Sequence, residues 1–205
     1  MKSIAIATLG ACALALASSA AGAATLVSFA DFDDLGGGPG PSFFDVATAD
    51  GWTAGVGTIE IQHNDVAGNA FSQPNLVELD ANSNSSMFFN LGAGSYTVDW
   101  FYSPRPGVAA SSNGIDLTIG ALQLDSVALD GSANADTVWG HRSVTFTTTG
   151  GALTFAATGT SDSLGGYLDN ITITSNAVPE PTEWALMIVG FGLSGALLRR
   201  RLATA

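Results

Sequence analysis

From Thr25 to Thr174 the chain alternates apolar and polar residues again and again with a period of two, and no convincing helical period interrupts it. In "SYTVDWFY", Tyr96, Val98, Trp100 and Tyr102 share one face, with Thr97 and Asp99 on the other. "NGIDLTIGAL" opens on an Asn-Gly turn and sets Ile115, Leu117 and Ile119 against Asp116 and Thr118. "SVTFTTT", "GALTFAATG" and "GGYLDNITIT" follow the same rule, and "VGTIEIQ", "NLVELD" and "SMFFNL" add strands upstream. Alternate side chains of a strand point to opposite faces, so each of these segments buries one face and wets the other. Many short strands joined by glycine-rich turns predict an all-β domain over residues 24–176, a β-sandwich of jelly-roll type. "LGGGPGPS" (Leu35 to Ser42) reads as a flexible loop.

A chain of 205 residues suits one such domain, and its net charge of −12 narrows the partners. The basic residues are Lys2 near the start, Arg199, Arg200 and Arg201 near the end, and only Arg105 and Arg142 between them. The middle is therefore almost purely acidic, which repels phosphate backbones, excludes nucleic acid as a partner and suits a hard cation such as calcium.

Both ends read as addresses. Lys2, the apolar run from Ile4 to Ala17 and the small residues "SSAAGAA" have the order of a secretory signal peptide. Cleavage by signal peptidase is expected after Ala23, giving a signal segment over residues 1–23. The one cysteine, Cys12, lies inside it, so the mature chain is expected to have no thiol chemistry. A second reading takes "LGAC" (Leu9 to Cys12) as a lipobox with Cys12 lipidated. At the other end, "WALMIVGFGLSGALL" (Trp184 to Leu198) is uncharged, begins with an interface-seeking tryptophan and stops at Arg199. It is short against the roughly 20 residues that span a bilayer core. The arginines orient such a helix with its C-terminal end in the cytoplasm, which leaves everything before Trp184 outside the inner membrane.

Residues 177–205 resemble the PEP-CTERM sorting signal in its Pro-Glu-Pro-x-x-Trp-Ala form. The resemblance is carried by Val178, Pro179, Glu180 and Pro181, then Trp184 and Ala185, the apolar helix, and Arg199, Arg200 and Arg201. It implies a Gram-negative bacterium, recognition by an exosortase, removal of the helix, and display at the cell surface or in the extracellular matrix alongside exopolysaccharide. The middle of the chain resembles the galactose-binding-domain-like sandwiches, the fold of many carbohydrate-binding modules. That likeness rests on Gly51-Trp52, "TIEIQHN", "LGAGSYTVDWFYSPRPG", Trp139 and the closing "GGYLDNITIT".

Groups for catalysis are few. His63 and His141 are the only histidines, and there is no Gly-x-Ser-x-Gly elbow. Glu60 and Glu78 lie in adjacent predicted strands and offer the two carboxylates of a glycosidase, but on strands of this kind they are expected to face solvent. The expectation is therefore a protein that is not an enzyme. For a ligand, "SPRPG" sets Arg105 between prolines on a stiff loop, where a guanidinium suits a uronate or sugar hydroxyls, with Trp52 and His63 on neighbouring loops. Trp100 and Trp139 are expected in the core. Asp169 shares a predicted face with Ile171 and Ile173, so its charge must be paired or coordinated there, or else satisfied by backbone amides or a turn. The sandwich resemblance implies a structural calcium between the first and last strands, which would draw on Asp33 from the predicted strand "FADFDD" together with Asp169. The function expected is an exported, exosortase-processed surface or matrix protein that associates with exopolysaccharide. A purely structural matrix protein and a glycan hydrolase are the alternatives.

Overall fold

The computed structural model describes residues 23–36, 40–176, 187–195 and 199. Its strands, in chain order, are β1 (Thr25–Ala30), β2 (Phe43–Val46), β3 (Thr48–Ala49), β4 (Trp52–Ala54), β5 (Ile59–His63), β6 (Asn75–Glu78) and β7 (Ser86–Leu91). They continue with β8 (Gly94–Ser103), β9 (Gly114–Ile119), β10 (Leu122–Val127), β11 (Gly140–Thr148), β12 (Gly151–Thr158) and β13 (Tyr167–Asn176). A seven-stranded sheet runs β11-β8-β13-β6-β5-β2, with β1 also on β13; a six-stranded sheet runs β10-β9-β12-β7-β4-β3. Neighbours pair antiparallel throughout, and from β7 onward the chain passes repeatedly from one sheet to the other.

The alternation read from the sequence becomes the sandwich core. Tyr96, Val98, Trp100 and Tyr102 of β8, with Ile171 and Ile173 of β13, face Leu117 of β9 and Leu153 and Phe155 of β12. Across the layers the Trp100 ring meets Phe155 edge-on at 5.3 Å, and Phe155 also contacts Trp52 at 5.5 Å. At one open edge Arg142 of β11 makes two 2.6 Å hydrogen bonds to Asp125 of β10 and lies over the Trp100 ring, tying the two sheets together.

Two local features depart from the sequence reading. "FADFDD" does not stay extended, because β1 ends at Ala30 and Asp33–Leu35 form a 3-10 turn. Phe32 takes a left-handed conformation (φ 61°), and its N–H donates to Asp50 Oδ2 at 2.8 Å. In β13, Asn170 is also left-handed (φ 46°), and the register to β8 jumps between Asp169 and Thr172. The jump is a β-bulge, which adds one residue and reverses the facing of what precedes it. Leu168 and Ile171 therefore both enter the core, and Asp169 turns to the outer face instead of sharing a face with Ile171 and Ile173.

Residues Ala23–Val178 form one compact unit. The expected signal peptide through Gly22 and the motif residues Pro179, Glu180, Pro181, Trp184, Arg200 and Arg201 lie outside the described residues. Residues 187–195 are helical, with Met187, Ile188, Val189, Phe191 and Leu193 exposed. Among the described residues no helix is long and apolar enough to cross a membrane. Because Phe155 joins the two layers, Phe155→Ala is expected to cost about 3–5 kcal/mol in urea unfolding. A loss below about 1 kcal/mol would contradict this packing.

Candidate functional site

The outer face of the seven-stranded sheet is built by register. His141 of β11 stands opposite Phe101 of β8, which stands opposite Asp169 of β13. One row further along, Ser143, Asp99 and Thr172 align, followed by Thr145, Thr97 and Thr174. The last row is Thr147, Ser95 and Asn176. Between these rows lie the core residues Tyr96, Val98, Trp100, Phe146 and Ile173 and the partly buried Val144, so the rows point away from the sandwich.

Over the aromatic end of this face folds the connection from β5 to β6, and Asp169 holds it. The N–H groups of Phe71 and Ser72 donate to Asp169 Oδ2 at 2.8 and 3.0 Å, and Asn170 N–H donates to Oδ1 at 2.7 Å. The Ser72 hydroxyl lies 2.9 Å from the same Oδ1. Burial pushes the Asp169 carboxyl up to about 7 against these hydrogen bonds. Held at its backbone, Phe71 lays its ring flat on Phe101, 3.6 Å between centroids and 14° between planes, and stays 44% exposed. Trp139 closes on Phe71 edge-first at 6.3 Å and donates from Nε1 to Asn69 O at 3.0 Å; His141 lies 5.3 Å from Phe101 and contacts Asp99 at 3.1 Å.

Next to this aromatic group the loop is tied to the one preceding β11. Asn69 donates from its backbone and side chain to the two oxygens of Asp136, each at 2.9 Å, and these bonds lower the Asp136 pKa. Gly68 allows the approach, since a Cβ there would lie 2.6 Å from Thr137 Cγ2. Asp65, Ala67, Gly68, Asn69, Ala135 and Asp136 line an open depression of about 340 Å³ between the two loops. Exposed rings beside carboxylate and amide groups form a surface suited to a polar ligand with apolar faces.

Behind the aromatic group lies a buried polar cluster. Glu60 and Glu78 are direct cross-strand partners, only 6% and 1% exposed, and Gln62 Nε2 bonds to both. Arg105 pairs with Glu78, Gly165 N–H donates to Glu78 Oε1, and the Arg105 guanidinium lies over the Tyr167 ring. Two carboxylates here face one guanidinium, so the pair favours keeping a proton. Burial raises Glu78 to about 8 in spite of Arg105, and burial likewise raises Glu60.

The residues singled out in the sequence fall in several places. Arg105 is engaged by Glu78 through Nη1 beneath the loops, and its side chain is only 15% exposed. Trp52 is fully buried against Phe89 and Phe155, because the Asp50-Gly51 turn, left-handed at both residues, delivers it into β4 and the core. His63 closes β5 opposite Asn75, away from the aromatic group. Glu60 and Glu78 are not solvent-facing; buried and bridged by one amide, they leave no room for a glycosidic bond between them. Trp100 is core, whereas Trp139 is half-buried over Ala67 and Ala70 on the outer side.

Asp33 and Asp169 share no hydrogen-bond partner. The charges acting on Asp33 are those of Asp31, Asp34 and Asp50, and its Oδ1 accepts from Asn75 N–H. Asp169 already receives donors on both oxygens, which fills most of its acceptor capacity and does not suit a calcium ligand. Among the described residues no three His, Cys, Asp or Glu side chains are placed to hold a metal ion. Sequence reasoning missed Phe71 and Asn69, which lie in a stretch without periodicity. The available signal was a lone phenylalanine within the polar run "GNAFSQPN".

No protein-family model matches the chain, and no curated protein matches it. Among solved structures, the K1 cleaved adhesin domain of Lys-gingipain from Porphyromonas gingivalis is similar at 10% identity, over 66% of this chain and 99% of that domain, with a TM-score of 0.50. A family 35 carbohydrate binding module from an environmental isolate is similar at 18% identity over 68% of this chain and 97% of that one, with a TM-score of 0.44. Another from Cellvibrio japonicus is similar at 13% identity over 69% and 100%, with a TM-score of 0.42. At 10% identity the adhesin domain shares the fold, a two-sheet β-sandwich.

Two outcomes follow from the site's geometry. Replacing Asp169 by Ala frees the Phe71 and Ser72 amides, so at pH 8 their hydrogen exchange should speed up about 10- to 100-fold, the ~1.5–3 kcal/mol of hydrogen bonds to a charged acceptor. Unchanged protection would contradict the anchoring role. Glu78 has a folded pKa above its unfolded value, so its contribution is fully present below about 4.5 and is lost as pH rises through about 8. Glu78→Gln, which mimics the protonated acid, should match the wild-type Tm near pH 5 and exceed it at pH 9. A variant that is less stable at pH 9 would show that the ionised pair with Arg105 prevails.

Proposed function

We propose that the chain is an exported surface or matrix protein whose sandwich, of jelly-roll type, binds polysaccharide on the outer face of the seven-stranded sheet. The observation that carries this reading is the exposed Phe71 ring stacked on Phe101, flanked by Trp139 and His141 and opening onto the Asn69–Asp136 depression. A pyranose presents apolar C–H faces and a rim of hydroxyls, and this surface offers rings for the first and amide and carboxylate groups for the second. The adhesin domain that shares the fold is in keeping with a binding module rather than an enzyme. Phe71→Ala should abolish retardation of the protein in affinity gels containing the bound polysaccharide while leaving Tm within a few degrees. Retardation that survives the substitution would reject this face, and a folded wild type that no glycan retards would favour a purely structural matrix role.

The sorting reading rests on the sequence: signal peptidase removes residues 1–23, and the inner membrane holds the C-terminal helix in passing. An exosortase of a Gram-negative cell then reads Pro179, Glu180, Pro181 and Trp184, with Arg199, Arg200 and Arg201 fixing the orientation. The apolar side chains exposed along helical residues 187–195 are compatible with a membrane handle. With Glu180 and both prolines replaced by alanine in the native cell, the protein should keep its C-terminal helix, as read by intact mass; an unchanged mature mass would refute processing at this motif.

Calcium is proposed at Asp33, where burial first and the carboxylates of Asp31, Asp34 and Asp50 second raise the carboxyl pKa; these side chains form no ready-made three-carboxylate cluster, so an ion there would draw on backbone carbonyls and water as well. Millimolar calcium should then raise Tm relative to chelator, and Asp33→Asn should remove the difference. Equal midpoints with calcium and chelator would exclude a structural ion.

A further inference from the structure

We infer that the ligand of this face is an uncharged, extended polysaccharide lying across its rows of hydroxyls, an inference that rests on the glycan-binding reading above. The first ground is charge. The unit Ala23–Val178 contains two cationic side chains besides its histidines, Arg105 and Arg142, and both are taken: Arg105 by buried Glu78 and Arg142 by Asp125. The unit has no lysine, and neither guanidinium is unpaired for a uronate or a sulfate. The face itself carries Asp99, the adjoining depression carries Asp65 and Asp136, and the chain carries a net charge of −12. A polyanion would bring like charges together at contact distance, well inside the ~8 Å screening length of physiological salt.

The second ground is the chemistry and dimensions of the face. Thr145, Thr97 and Thr174 stand in one row across three strands, and the Thr97 and Thr145 hydroxyls are 2.8 Å apart. Hydroxyl and amide side chains in the next row lie one residue pair further along the same strands, giving a lattice of roughly 4.8 by 6.8 Å. From His141 to Thr147 the face runs about 20 Å along the strand direction, long enough for several linked sugar rings. Leu26, opposite Thr174, and Phe29, opposite Thr172, are exposed and extend the face with an apolar margin. Short hydroxyls donate and accept alike, which suits the hydroxyls of a neutral glycan. The Phe71–Phe101 stack then serves as the end stop of an extended site rather than the whole of it.

The test uses affinity electrophoresis of the full chain in hydroxyethylcellulose, galactomannan and alginate, with matched oligosaccharides as competitors. The wild type should be retarded by a neutral polymer and not by alginate, and a hexasaccharide should compete at least about tenfold better than a disaccharide, or ~1.4 kcal/mol. Thr97→Val, Thr145→Val and Thr174→Val combined keep volume and strand propensity and should weaken retardation by a similar factor. Thr145→Lys, at an exposed position of the edge strand, should weaken it on the neutral polymer and begin to retard in alginate. Retardation by alginate as strong as by the neutral gels would overturn the inference. So would a triple-valine variant that binds normally while Phe71→Ala does not, because the ligand would then be confined to the aromatic end. A wild-type dimer that Thr145→Lys makes monomeric would assign the face to a second copy of the chain. A wild type that no gel retards would remove the binding reading itself, and with it this choice of ligand.

Discussion

The site depends on a single inserted residue in the last strand. Asn170 bulges out of β13, and without that bulge Asp169 would point into an apolar core where an unpaired carboxylate is untenable. With it, Asp169 reaches the outer face and finds the Phe71 and Ser72 amides of the β5–β6 connection. Those two hydrogen bonds set the height of the loop over the sheet, and that height lets the Phe71 ring lie flat on Phe101. The core, the loop and the aromatic group are linked through one carboxylate.

A second buried carboxylate system lies beneath the same loops and has a different character. Glu60, Glu78, Gln62, Arg105 and Tyr167 fill the space between the outer face and the loops that cover it, so the loops rest on polar groups that must be satisfied together. Removing one member of such a set leaves the others desolvated and unpaired, which costs more than the pair itself contributes. The arrangement ties the covering loops to the sheet through Gly165 and Arg105, and it engages that arginine. An acidic chain that spends both arginines of its globular unit internally has given up electrostatic attraction for anions.

The strands were legible in the sequence wherever alternation survived: β8, β9, β11 and β12 each show their core face as apolar residues two apart. What alternation cannot show is where it slips. One extra residue at Asn170 inverts the facing that alternation predicts for Asp169, and a left-handed Phe32 ends β1 before the acidic turn that the sequence pattern predicts as strand. Trp52 read as a loop contact, because nothing in "DGW" reveals that a tight two-residue turn sends the next side chain into the core. Glu60 and Glu78 looked solvent-facing because their neighbours Ile59, Ile61, Val77 and Leu79 claim the core, as they do; the cover over the outer side comes from loops distant in sequence. Phe71 was invisible for the complementary reason, since its place is set by partners on β8 and β13 and not by its own segment.

The central claim is that recognition belongs to this outer face and not to the loop ends or the six-stranded sheet. Amide chemical-shift mapping of the compact unit Ala23–Val178 during titration with a neutral oligosaccharide reads that directly. Perturbations are expected at Phe71, Thr97, Phe101, His141 and Thr145, with β9, β10 and β12 silent. Shifts concentrated at the acidic turn of Asp31 to Asp34, or on the six-stranded sheet, would contradict the account.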